Sequence, residues 1–243
     1  VPTSEKSLGI VSRGAKTISF RDVSSWSEQD YFIPHSCQTT KLKKMPRERK
    51  ERLFPDIADK KNAARDLATY YANRLASNGA SAIYLAKKRS IPPFFDRIGE
   101  LSDRGFDFHG ILEASNREEL SRLSNLFLLH YGAECVYLKG IKSGIVPHDG
   151  GLPEGIRQCV EYALKRNLIN VVACTPTLAQ GVNLPIKYLF ITSVRSGNFP
   201  PKARDFQNLI GRTARPGTHS EGSVILTDLS DEPGGSNKAR DYR

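Results

Sequence analysis

The chain has 243 residues, 39% of them hydrophobic, enough for one large domain with a sizeable core plus appendages. Its 36 Lys and Arg against 26 Asp and Glu leave a net charge of +10 and a pI near 9.5, which favours a polyanionic partner, nucleic acid or an anionic surface. No run approaches the roughly 18 apolar residues of a membrane span, and residues 1–20 lack the apolar core and flanks of a signal peptide, so the expectation is no membrane and an intracellular, cytoplasmic setting. Cys37, Cys135, Cys159 and Cys174 are far apart, with no CxxC and no His at ligand spacing, and read as reduced thiols without a metal site.

In chain order, residues 8–11 and 17–20 are short apolar runs around Ser12-Arg13-Gly14-Ala15-Lys16, which predicts a hairpin. Residues 36–61 crowd Lys41, Lys43, Lys44, Arg47, Arg49, Lys50 and Arg52 together and read first as a linker or solvated helix, second as a nucleic-acid contact. From residue 62 the pattern becomes regular. Ala64, Leu67, Ala68, Tyr71 and Leu75 recur at helical spacing up to Gly79, and residues 81–86 then form a run of strand length. Leu120, Leu123, Phe127 and Tyr131 make a second stripe ending at Gly132, followed by a strand near residues 144–147. Ile156, Cys159, Val160, Ala163 and Leu164 share one face of a further helix. Residues 170–174 and 188–192 are continuous apolar runs, as expected of strands covered on both faces, and residues 223–227 give a last strand. This alternation predicts an α/β fold, a parallel sheet with helices on both faces, preceded by a hairpin and linker. The expected divisions are 1–61 for the leading hairpin and basic linker, 62–229 for the α/β domain and 230–243 for a polar tail.

In such sheets ligands bind where loops leave the carboxyl ends of strands. Three of these loops are chemically unusual: Lys87-Lys88-Arg89, residues 147–153 (PHDGGLP) and residues 175–185 (TPTLAQGVNLP). Farther on, a helix over residues 204–214 would carry Phe206, Leu209, Ile210, Thr213 and Ala214 on one side. Gln207, Asn208, Gly211, Arg212 and Arg215 would fall on the other, with bare backbone at Gly211 despite its cost of about 1 kcal/mol against alanine. Two guanidiniums beside bare backbone suit a phosphate group. Periodicity alone leaves that reading level with a plain solvated face.

Residues 207–215, QNLIGRTAR, resemble the QxxGRxxR motif of superfamily-2 helicases, and residues 175–185 resemble the upstream motif of their Ski-type branch. Residues 147–153 resemble the loop that precedes these two, and the resemblance covers about residues 80–228. Asp149 departs from it, standing where relatives usually carry a second histidine; Thr213-Ala214 replaces the common Ala-Gly, and Lys87–Arg89 is only a loose match. The resemblance implies a RecA-like helicase C-terminal domain over residues 62–229, the second motor domain of an ATP-dependent helicase or translocase. Arg212 and Arg215 would reach the γ-phosphate of a nucleotide held mainly by another domain, and Gln207 would order that site. Gly181 and Asn183, with Gly211 on the nucleotide side, would couple it to the strand. Thr175 and Thr177 would bind the strand backbone, aided by His148, Gly150, Lys87, Lys88 and Arg89. Purely structural roles are also open: Thr177 as a helix cap, Asn183 as a turn residue, His148 as partner of a loop carbonyl.

The implied partners are nucleic acid, DNA or RNA, taken mainly as single strand through its backbone, and an N-terminal RecA-like domain of the same protein. The implied cofactors are ATP and Mg2+, held mainly by that other domain. A motor also needs a GxxxxGK[ST] loop and an acidic magnesium motif. Residues 9–17, GIVSRGAKT, miss the first by an extra alanine before Lys16 and run into a strand rather than a helix, and Asp231-Glu232 lies in the polar tail. The chain alone is therefore expected not to hydrolyse ATP. The alternative is a non-catalytic RecA-fold module that binds nucleic acid or protein and keeps vestigial motifs.

Overall fold

The computed structural model describes residues 5–14, 17–22, 30–32, 37–46, 48–59, 61–176, 184–193, 207–208, 210–211, 213 and 221–227. In chain order the elements are β1 (Glu5–Gly14), β2 (Thr17–Asp22), β3 (Asp30–Phe32), β4 (Thr40–Leu42), β5 (Arg52–Phe54), α1 (Ala63–Leu75), β6 (Ala80–Tyr84), α2 (Ile91–Asp103), α3 (His109–Glu113), α4 (Arg117–Tyr131), α5 (Tyr137–Lys142), β7 (Ile145–His148), α6 (Glu154–Lys165), β8 (Val171–Cys174), β9 (Ile186–Ile191) and β10 (Glu221–Leu226). Five parallel strands in the order β7-β8-β6-β9-β10 form the body of the sheet. β1 joins β10 in parallel, and β2 and β3 continue antiparallel, so the hairpin extends the same sheet. Pro147 is tolerated because β7 is the outermost strand, where a missing backbone donor costs no ladder bond.

Side chains alternate across this sheet with period two, and each set meets its own helices. Ile83, Val171, Ala173, Phe190 and Ile225 pack under Leu67 and Tyr71 of α1 and Phe94, Phe95 and Ile98 of α2. Ala82, Tyr84, Val146, Val172, Leu189 and Val224 face Leu120, Leu123 and Phe127 of α4 and Ile156, Val160 and Leu164 of α6. Helices therefore cover both faces, the α/β arrangement expected of a RecA-like domain. Asn116 starts α4 by accepting the Glu119 N–H at 3.0 Å, and Gly132 ends it at φ 81°. α2 crosses α5 so closely that a methyl group on Gly140 would overlap the Phe95 ring.

The basic segment before α1 differs from a solvated linker. β4 and β5 pair as a separate two-stranded sheet, with Leu42 and Phe54 buried in the core. Phe54 lies 4.3 Å from the Phe106 ring centroid, and the Lys43 N–H donates to the Arg104 carbonyl at 2.8 Å. Two apolar anchors suffice to dock the hairpin while Lys41, Lys44 and Lys50 stay exposed.

Candidate functional site

The ladder runs one residue beyond most strands at the carboxyl edge. Leu85 N–H donates to Cys174 O (2.8 Å), Thr175 N–H to His148 O (3.3 Å), Thr192 N–H to Tyr84 O (3.2 Å) and Thr227 N–H to Ile191 O (3.0 Å). The hydroxyls of Thr192 and Thr227 donate to the same two carbonyls, at 2.8 and 3.3 Å. Strand-end carbonyls buried here need a donor, and threonine supplies a second one from a short side chain. Thr175, at the end of β8, is 3% exposed. Of these three strand-end threonines, the helicase-like motif singles out Thr175. An apolar run followed at once by Thr, at Cys174-Thr175, Ile191-Thr192 and Leu226-Thr227, was a signal that would have found all three.

Beyond β6 the chain turns at once. Lys87 is extended, and residues Lys88–Ser90 form a 3₁₀ turn in which the Ser90 N–H reaches the Lys87 carbonyl at 2.9 Å. The turn leads straight into α2 and leaves Lys88 and Arg89 exposed, with Lys87 half-buried. At the end of β7, His148 is 1% exposed and its Nε2 lies 3.0 Å from Glu161 Oε1 on α6, while Nδ1 has no partner among the described residues. Its ring faces the protein interior, so at this edge it acts by anchoring the loop, and the bare backbone of Gly150 and Gly151 is what the loop exposes. Asp149, noted in the sequence only as a departure, is also 1% exposed. Its Oδ1 accepts the Gly151 N–H at 2.6 Å and Oδ2 has no partner among the described residues. Burial, then the Asp149 charge, push the Tyr137 hydroxyl up to about 12, and Tyr131 is raised by the same two causes in the same order.

The β6 and β7 loops meet. A methyl group on Gly151 would overlap the Cε and Nζ of Lys88 and crowd Asp149 Oδ1, so glycine permits the lysine to lie across the loop. Lys88, Gly150, Gly151 and Thr175 thus share the carboxyl edge of β6, β8 and β7.

Gln207 and Gly211 do not join them. Gly211 N–H donates to Gln207 O at 2.8 Å, a helical bond, and Gln207, Asn208 and Gly211 are exposed. Ile210 packs on the core and Thr213 is fully buried. Thr213 forms a parallel bridge with Ile186, the first residue of β9, and so stands at the amino end of that strand. At 3.3 Å per residue the six residues of β9 separate the two ends by roughly 17 Å. Residues 175–185 start at the carboxyl edge and re-enter at the amino edge, so only their first part belongs with the strand-end loops. Thr177, Gly181, Asn183, Arg212 and Arg215 lie outside the described residues. Among the described residues no group of three or more His, Cys, Asp or Glu could hold a metal ion, and no helix is long and apolar enough to cross a membrane.

No protein-family model matches the chain. It is 26% identical to Hachiman protein HamB of Bacillus cereus over 199 residues, covering 81% of this chain and 17% of that protein. It is 32% identical to ATP-dependent DNA helicase Hel308 of Methanocella arvoryzae over 127 residues, covering 47% of this chain and 16% of the relative. Against Hel308 of Aeropyrum pernix the identity is 37% over 98 residues, covering 38% of this chain and 13% of the relative. The chain thus spans under a fifth of the length of these relatives. Among solved structures, the C-terminal domain of the DEAD-box protein Dbp5 aligns with a TM-score of 0.46 at 15% identity, covering 74% of each chain.

Proposed function

The chain is homologous to superfamily-2 helicases of the Hel308 and POLQ-like kind, and from that premise we propose that it serves as the second motor domain of an ATP-dependent nucleic-acid helicase. The observation that carries this reading is the Thr213–Ile186 bridge, which sets the QNLIGRTAR segment beside the end of the TPTLAQGVNLP segment. Two segments that resemble helicase motifs meet in space, and the exposed face of the first, with Gln207 and Gly211, is turned to solvent.

In this reading the nucleotide, with Mg2+, supplies the phosphate that is transferred to water, and both are held mainly by an N-terminal RecA-like domain. The exposed amide and bare backbone of Gln207 and Gly211 fit a phosphate-bearing partner, and the helicase-like motif assigns the two guanidiniums of Arg212 and Arg215 to the same phosphate. Guanidiniums held before the reaction stabilise charge as it shifts in the transition state and need no reorganisation when it does. Gly181 and Asn183 belong to the segment that joins this end of the sheet to the other. At the carboxyl edge Thr175, Gly150, Lys87, Lys88 and Arg89 hold the backbone of a single strand, aided by Thr177 of the same motif as Thr175, and His148 keeps the β7 loop in place through Glu161. The Hel308 relatives are DNA helicases by name, so DNA is the track to test first.

The purified 243-residue chain tests both halves. It should bind single-stranded oligothymidylate weakly, with a log–log salt slope of about 0.7 per phosphate contacted. It should show no strand-stimulated ATP turnover. Sequence-specific binding that ignores salt, or turnover that disappears when Lys16 is changed, would overturn the reading.

A further inference from the structure

We propose that Asp149 competes with strand phosphate for Lys88, and so sets how tightly the carboxyl edge of this domain grips a single strand. The proposal rests on the strand-binding reading above. Lys88 Nζ and Asp149 Oδ1 each lie under 3.0 Å from the point a Gly151 Cβ would occupy. They are therefore within about 6 Å of one another, the range over which opposite charges act strongly.

The carboxylate is 1% exposed and only half satisfied among the described residues: Oδ1 accepts the Gly151 N–H and Oδ2 has no partner there. A buried acid in that state draws a nearby cation, and the ammonium of Lys88 is held against the loop across the glycine. The neighbouring Tyr137 and Tyr131 hydroxyls are raised by burial first and by the same negative charge second. A strand phosphate approaching the Gly150–Gly151 backbone meets a lysine that already lies in the field of a nearby buried acid. It must draw the ammonium away and tolerate the carboxylate left behind. Asp149 would thus weaken the grip at this one point and favour release of the strand.

Asp149→Asn separates charge from shape. The amide keeps an Oδ1 that can accept the Gly151 N–H, so the turn survives while the anion is removed. In the full-length protein without nucleotide, binding of fluorescent oligothymidylate should tighten several-fold in Asp149→Asn at low salt. The log–log salt slope should steepen by about 0.7, the value for one further phosphate neutralised on a single strand. Lys88→Ala should bind more weakly than wild type, and adding Asp149→Asn to it should restore nothing. Unchanged or weaker binding by Asp149→Asn, or a gain that persists without Lys88, would overturn the proposal while leaving strand binding itself intact. Failure of every form, wild type included, to bind the oligonucleotide would instead remove the strand-binding reading and this proposal with it.

Discussion

Thr175 and Thr227 share a chemistry that separates structure from function. Both follow a parallel strand, both are buried, and both donate a backbone N–H to the neighbouring strand's last carbonyl. Replacing either buried threonine by alanine should cost about 1 kcal/mol of stability, the usual net worth of a buried hydrogen bond such as the one Thr227 Oγ1 donates to the Ile191 carbonyl. Only Thr175 begins a helicase-like motif. Thr175→Ala should therefore depress strand-stimulated ATP turnover in the full-length protein, whereas Thr227→Ala should leave it close to wild type at a similar drop in Tm. If Thr175→Ala unfolds the domain, or if both variants lose turnover alike, the threonine is only a strand stop. At this scale the sequence was partly legible. Thr175 was found through resemblance, whereas burial of His148 and Asp149 depends on α6 and the β6 turn closing over them, which no local pattern records.

Among elements, the strands were the most legible. β8 is apolar throughout and, like β6, buried throughout, and β9 is buried over its last three residues, so short apolar runs without alternation are all that is needed to see them. α2 was not read because its first turn carries prolines 92 and 93, which signal a break yet are compatible with a helix start. The β4–β5 hairpin was hidden by its own charges. One of them, Glu48, joins a network from α1 and α2: Arg97 is bidentate to Asp66 at 3.0 and 2.7 Å and reaches Glu100 at 2.7 Å, while Arg104 links Glu100 to Glu48. Asp66 is fully buried, and burial pushes its carboxyl up despite the hydrogen bonds and charge of Arg97. Arg97→Met should cost about 3–5 kcal/mol in urea denaturation by stranding that acid, and the double change Asp66→Leu/Arg97→Met should recover most of the loss. A single variant within about 1 kcal/mol of wild type would show that the pair carries no structural weight.

The same network gives a pH dependence. A hydrogen bond from Arg104, then one from the Met45 N–H, hold Glu48 down to about 2 from 4.5. Because the folded value lies below the unfolded one, this contribution is complete above about 4.5 and is lost as pH falls toward about 2. Wild type should thus lose Tm more steeply than Glu48→Gln over that window, and parallel curves would exclude the pairing in solution.

For the whole molecule, the sheet holds two chemically distinct regions apart. Its carboxyl edge gathers Lys88, Gly150 and Thr175, while the Gln207–Gly211 face is tied by Thr213 to the amino end of β9. The central claim is that the second face acts on a nucleotide phosphate rather than on the strand. Charge on that phosphate shifts in the transition state, so a positioned guanidinium acts on kcat more than on ground-state affinity. The direct measurement is kcat for ATP hydrolysis by the full-length protein at saturating single strand, comparing Arg215→Ala with wild type. Arginine fingers in phosphoryl transfer are worth roughly 10³–10⁵ in rate, so turnover should fall by about that factor while ATP and strand affinities stay within several-fold. Arg215→Lys should restore little, since an ammonium lacks the planar fork. Near-normal turnover at saturating strand, with strand binding weakened and its salt slope reduced by about one unit, would contradict the account.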